Sequence, residues 1–268
     1  MQDWDDAFAN LAYISDGELL LGQIANDARA FRLNAHADFD VPYSDGARNK
    51  FDFFHPSQGS PKGLMIFVHG GYWMQTSKAD WSHLARAAVE RGYAACLPGY
   101  TLAPAARISQ ITLEVGQAIQ TAAKIVEGPI YLCGHSAGGH LAARMICNDS
   151  PLNTNVLARI ESVAPISGVF DLRPLMHTEM NQTLRLDYLE AATESPALLS
   201  PDYKGLLTIW VGSDERPEFI RQSRLLSSAW ADADINIRLT EEKNAHHFTV
   251  LEGLKDPSSP LVEAIFAD

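Results

Sequence analysis

From Gly63 onward, short apolar runs alternate with longer stretches in which apolar residues recur every three or four positions. The short runs are 64–68 (LMIFV), 93–97 (YAACL), 130–133 (IYLC), 161–166 (ESVAPI), 206–211 (LLTIWV) and 235–239 (INIRL). They are too short for helices and read as strands, and several are apolar throughout, as strands covered on both faces are. The longer stretches, 78–91, 109–126, 137–147, 217–231 and 258–266, read as amphipathic helices. In the first of them Trp81, Leu84, Ala85, Ala88 and Val89 fall at helical spacing, Ser77 is placed to cap the start and Gly92 follows the end. The alternation predicts an α/β fold, a mostly parallel central sheet flanked by helices.

Upstream, "DVPYSDGARNKFDFFHP" has the pattern of two strands joined by a turn at Asp45-Gly46, which predicts antiparallel strands at the N-terminal edge of the sheet. Residues 1–35 lack a clear period and are expected to wrap as a helical arm. Neither an internal repeat nor a low-complexity linker interrupts the chain, so a single domain is expected over residues 1–268. The segment 171–203, rich in Leu, Met and Pro between two strands, is too long for a simple crossover. It is expected to form a lid or cap and to carry part of the substrate choice.

Composition narrows the partners. The content, 46% hydrophobic and 20% charged, is that of a globular chain able to bury a full core. A net charge of -12 with no Lys/Arg run argues against nucleic acid. The opening "MQDWDDAFAN" is acidic and no apolar stretch follows it, so export is not expected. No apolar run approaches the roughly 20 residues of a membrane span. Cys96, Cys133 and Cys147 form no CxxC pair, and an odd number argues against a disulfide framework. The expectation is a cytoplasmic protein acting on a small-molecule substrate, with monomer and homodimer both left open.

The candidate chemistry starts at "YLCGHSAGGH", residues 131–140. Its GHSAG places Ser136 between a predicted strand and a predicted helix, the context of a G-x-S-x-G nucleophile elbow. A second glycine segment, "HGGYW" at 69–73, follows the strand 64–68. Such a loop brings backbone N–H groups up to a carbonyl oxygen that is turning negative. Gly70, Gly71 and Tyr72 are the candidate donors, joined by Ala137 from the elbow. His69 is expected to fix that loop by hydrogen bonding, and Trp73 to stand either in the core or in the pocket wall. A serine nucleophile needs a base and a carboxylate to orient it, in the chain order Ser, Asp or Glu, His. Asp214 and Glu215 after the strand 206–211 offer the acid, and His246 and His247 after 235–239 offer the base, each by adjacent alternatives. Asp171 reads as a turn-capping residue rather than a replacement acid. His135 and His140 lack the spacing of metal ligands. Phe170 and His177 are candidate substrate contacts, and Arg173 a candidate partner for a substrate carboxylate.

The segments "HGGYW", "IYLCGHSAGGHLAA", "ISGVFDLRPL", "SPALLSP", "PEFIRQS" and "HHF" resemble, in this order, those of the serine-hydrolase type of kynurenine formamidase (arylformamidase) and its bacterial relatives in the α/β-hydrolase superfamily. The resemblance spans roughly residues 40–255. It implies Glu215 as the acid, two residues before the proline of "PEF", and His247 as the base, directly before the phenylalanine. It further implies hydrolysis of an aryl formamide such as N-formylkynurenine through an acyl-enzyme, or of small acyl esters by the same groups, with no cofactor and no metal.

Overall fold

The computed structural model describes residues 2–267. Eight strands form one sheet: Ala37–Pro42 (β1), Lys50–Phe54 (β2), Leu64–Val68 (β3), Ala94–Pro98 (β4), Ile130–His135 (β5), Ile160–Ile166 (β6), Leu206–Gly212 (β7) and Asn236–Glu242 (β8). Their order is β1-β2-β4-β3-β5-β6-β7-β8. The β1–β2 and β2–β4 pairs are antiparallel and every pair from β4 to β8 is parallel. All six predicted strands appear within two residues at their starts, and the N-terminal pair takes the expected edge position.

Every residue of β3, β4, β5 and β7 is buried. Alternation then splits each strand between two apolar layers. Leu64, Ile66 and Val68 pack into a cluster with Leu141 and Ala142, whereas Met65 and Phe67 pack into a second one with Trp81 and Leu84. Each such side chain contributes roughly 1.5–3 kcal/mol when fully buried, so the strands are held from both faces. The three cysteines are free and buried.

The predicted helix 78–91 opens as a 3₁₀ segment, Lys78–Ala85, and becomes α-helical over Arg86–Glu90. Ser77 caps it through a reciprocal pairing with Asp80. The other four predicted helices appear as Ile108–Ala122, Ala137–Arg144, Pro217–Ala229 and Pro260–Ile265.

Residues 2–35 do form a helical arm: Trp4–Phe8, a turn at Leu11–Tyr13 and the helix Gly17–Asn34. Arg32 pins it to the sheet edge, pairing with buried Asp52 and donating to Ser82 at 2.9 Å. The Arg216 guanidinium lies 3.6 Å over the Tyr13 ring.

The segment 171–203 folds into short turns and helices that are tied down rather than set over a cavity. Glu190 accepts from Ser109 Oγ at 2.7 Å, and Glu194 from Thr112 Oγ1 at 2.7 Å and Arg144 Nε at 3.1 Å. These bonds fasten it to the helices Ile108–Ala122 and Ala137–Arg144. Three polar anchors thus hold the segment expected as a lid to the body of the fold. The arm takes the covering position.

β4 lies on one side of β3 and β5 on the other, so the chain leaves the two central strands in opposite directions. Crevices open at the carboxyl ends of strands at such a reversal. His69–Trp73 follows β3 there, and Ser136 follows β5.

Candidate active site

Ser136 joins β5 to the helix Ala137–Arg144 with φ 56° and ψ −118°. A non-glycine residue keeps a positive φ only where its surroundings over-determine it. Here Ser136 N donates to Ile166 O at 2.9 Å. Gly138 lets the helix start press against β3: a Cβ there would lie 1.9 Å from Val68 O. The turn is thus held from both neighbouring strands, and Ser136 emerges on the rim of a cavity.

The glycine loop is built to a similar tolerance. Gly71 has φ 110°, followed by Tyr72 at 52° and Trp73 at 58°. A Cβ on Gly71 would meet Gln75 O at 2.3 Å. Met74 N and Gln75 N both donate to Gly71 O, at 2.9 and 2.8 Å, which closes the turn. Among the described residues nothing accepts from the backbone N–H of Gly71 or Tyr72. Ala137 opens its helix, so its N–H has no partner within that helix either. Gly70 stands apart from this group and does not line the cavity. Its carbonyl accepts from Thr76 Oγ1 and His69 Nδ1, both at 2.8 Å, and a Cβ on it would come within 3.0 Å of Ser136 Cβ. Gly70 is therefore needed for close approach. His69 stacks on Tyr100 with ring centroids 4.3 Å apart, and burial pulls its pKa down to about 4, which keeps the ring neutral. It holds the loop, as expected.

The structure brings one member of each pair together. Glu215, after β7, is buried and its Oε2 lies 2.6 Å from His247 Nδ1. Its Oε1 accepts from Gly212 N at 2.9 Å and from Ser167 Oγ. Asp214 is exposed, and among the described residues its side chain accepts only from Ser213 Oγ. His246 Nδ1 accepts from Phe248 N at 3.2 Å, capping the turn that follows. Only Glu215 and His247 of the two pairs bond to each other, although all four residues border one cavity beside the arm. Because a carboxylate can only accept, His247 Nδ1 carries the proton and Nε2 is left as the basic nitrogen. Ser136 and His247 line the same cavity.

A family model described as alpha/beta hydrolase fold matches residues 65–251. The kynurenine formamidase of Danio rerio is 32% identical over 236 residues, covering 84% of this chain and 80% of that protein. The chain belongs to the kynurenine formamidase family of α/β-hydrolases. A crystal structure from Silicibacter sp. TM1040, described as that of a candidate thioesterase, is 45% identical, with a TM-score of 0.94 and full coverage of both chains. An inhibited esterase B from Lactobacillus rhamnosis superposes with a TM-score of 0.70 at 15% identity, over 95% of this chain and 93% of that one, a likeness of fold alone.

The cavity of this formamidase-family hydrolase measures about 140 Å³. Trp81 and Phe248 line it together with Asn10, Leu11 and Leu21 of the arm. None of the three expected substrate contacts is there. Trp73 is 1% exposed in the core, edge-on to His140 at 5.1 Å, because the successive positive φ angles turn it inward. Phe170 is fully buried, its backbone N–H donating to Gln222 at 2.8 Å. His177 is exposed on the anchored segment. Arg173 is taken up by Asp171, with contacts of 2.9 and 2.8 Å, and Asp171 caps that turn.

Two residues that sequence reasoning missed stand at the site. His135 Nε2 donates to His247 O at 2.7 Å, its ring 4.5 Å from the His247 ring. Burial holds its pKa well below the usual histidine value, so it is neutral. Its place directly before the serine was the available signal. Asn10 had none, because it lies 126 residues upstream of Ser136 on an arm without a pattern. Among the described residues no cluster of three or more His, Cys, Asp or Glu is placed to hold a metal ion, and no helix is long and apolar enough to cross a membrane.

Proposed function

We propose that this protein is a serine hydrolase that cleaves an aryl formamide of the N-formylkynurenine kind through a formyl-enzyme. The observation that carries the reading is the 2.6 Å contact of Glu215 with His247 at a cavity shared with the elbow residue Ser136. The kinship with kynurenine formamidase supplies the substrate class.

In this reading Ser136 Oγ adds to the formamide carbonyl carbon as His247 Nε2 takes its proton. Glu215 holds the imidazole in that tautomer and offsets its charge once it is protonated. The carbonyl oxygen becomes an alkoxide and is met by the free N–H groups of Gly71, Tyr72 and Ala137. His247 returns the proton to the leaving nitrogen, the C–N bond breaks and an aryl amine departs. Water, deprotonated by His247, then releases formate and restores Ser136. No cofactor enters the scheme, and the free buried thiols fit a reducing cytoplasm.

Hydrolysis of short acyl esters or thioesters is the second reading. It is favoured by the small cavity and by the 45% identical relative described as a candidate thioesterase. The discriminating experiment compares kcat/KM for N-formylkynurenine with that for a short-chain nitrophenyl ester. The formamidase reading expects at least about 10⁴ M⁻¹s⁻¹ on the formamide, in the ordinary enzyme range. A value below about 10² beside brisk ester turnover would replace it with the second reading.

A further inference from the structure

Asn10 stands between the helix Trp4–Phe8 and the turn Leu11–Tyr13, in the wall of the cavity that holds Ser136 and His247. It also borders the adjoining cavity beside Glu215 and His247, so it sits on the His247 side of the site. Only 4% of it is exposed. Its amide orientation follows by elimination. Phe8 O can only accept, so the Tyr72 hydroxyl donates its one proton there, at 2.7 Å. The 3.3 Å contact between Asn10 and that hydroxyl is then donated by Asn10 Nδ2. Oδ1 is left over, shut off from solvent and without a partner among the described residues. Native folds keep few buried acceptors in that state, and each calls for a reason.

We propose that Asn10 Oδ1 accepts the N–H of the scissile formamide and thereby favours amides over esters. The proposal rests on the formamidase reading above. When Ser136 Oγ adds to the carbonyl carbon, amide resonance is lost and the nitrogen becomes pyramidal with a lone pair. That lone pair has to face His247 Nε2 to be protonated, which turns the nitrogen's single N–H elsewhere. An acceptor on the His247 side holds the N–H and stabilises the arrangement in which proton transfer works. The C–N bond then breaks with its electron pair going to nitrogen. The amine leaves with two hydrogens, one its own and one from His247, and the formyl group stays on Ser136. An ester oxygen carries no hydrogen and meets no such requirement.

The surroundings of Asn10 fit this role. Its bond to Tyr72 ties it to the loop that lines the cavity and carries the unpaired N–H groups of Gly71 and Tyr72. A formamide N–H seated in the cavity would supply the partner that Oδ1 lacks.

The test uses formanilide and phenyl formate, which differ by N–H against O, with N-methylformanilide as an amide that has no N–H. Their kcat/KM values are measured for the full chain and for Asn10→Leu, which is close in size but apolar. The expected result is a fall of about tenfold in the formanilide-to-phenyl formate ratio, with the N-methylformanilide-to-phenyl formate ratio unchanged. Asn10→Ala, which leaves space instead of bulk, should give the same split. The ratios cancel any general loss from a disturbed arm. Formanilide and N-methylformanilide ratios that both stay within threefold of the parent protein would overturn the assignment. Failure of the formamidase reading is visible separately, as a parent protein that cleaves phenyl formate and leaves formanilide untouched.

Discussion

Glu215 Oε2 and His247 Nδ1 stand 2.6 Å apart, whereas Asp214, one residue earlier, is exposed. If the carboxylate sets the imidazole tautomer, Glu215→Gln, which presents an amide at the same place, should lower kcat by about 10³–10⁴-fold. Asp214→Asn should stay within about threefold of the parent, since no role in the chemistry falls to it. Steady-state kinetics on a formamide or an ester decide between them. The reverse pattern would transfer the role to Asp214.

His135 acts on His247 from behind. Its Nε2–H donates to the His247 carbonyl at 2.7 Å, so His135→Phe fills the space but leaves that buried oxygen without its donor. A loss of about 1–3 kcal/mol in unfolding free energy is expected, together with a fall in kcat. His135→Gln, which carries an N–H donor, should recover part of both. Urea unfolding and kinetics on the two variants check this, and equal damage from both would argue that ring volume alone matters.

Gly71→Ala tests the loop. At φ 110°, with Gln75 O 2.3 Å from the position of the new methyl, the turn cannot keep its shape. The donors at 71 and 72 would move, and kcat should drop about 10²–10³-fold, as when one oxyanion contact is removed. A change in KM with kcat intact would mean that the loop binds substrate without stabilising the transition state.

Acid stability follows from the buried histidines. Burial lowers the pKa of His69 to about 4 and that of His140 to about 3. An unfolded histidine takes its proton near pH 6.5. Between pH 6.5 and 4 the unfolded chain therefore binds more protons, and stability falls as pH falls, by about 1.4 kcal/mol per pH unit for each residue. Above pH 6.5 this contribution is complete and level. Urea midpoints at pH 7, 6 and 5 should show the decline, and His69→Gln should reduce its slope by about one proton. A profile flat from pH 7 to 5 would contradict the burial argument.

The strands and the elbow were legible because their signals are local. β3, β5 and β7 are apolar at nearly every position, and Ser136 stands among glycines at the end of one of them. The loop at 69–73 was legible as a motif, but the direction of Trp73 was not. That depends on three successive positive φ angles, which residue identity does not disclose at Tyr72 and Trp73. The motif alone left Asp214 and Glu215 as alternatives; the family resemblance pointed to Glu215, and the path of the chain after β7 sets Glu215 against His247. The arm's place at the cavity was not legible, and neither were the anchors of the Leu- and Pro-rich segment 171–203, where Glu190 and Glu194 pair with residues of distant helices. Asn10, Leu11 and Leu21 reach the cavity only through tertiary folding of an arm whose sequence has little periodicity.

The central claim is that Ser136 is a nucleophile activated by His247 and Glu215. The most direct measurement is the intact mass of the protein after reaction with a fluorophosphonate, followed by peptide mapping. The account predicts one adduct per chain, located on Ser136, absent from Ser136→Ala and formed at least about 10²-fold more slowly in His247→Ala. An adduct on another residue, or ester turnover that survives Ser136→Ala, would contradict it.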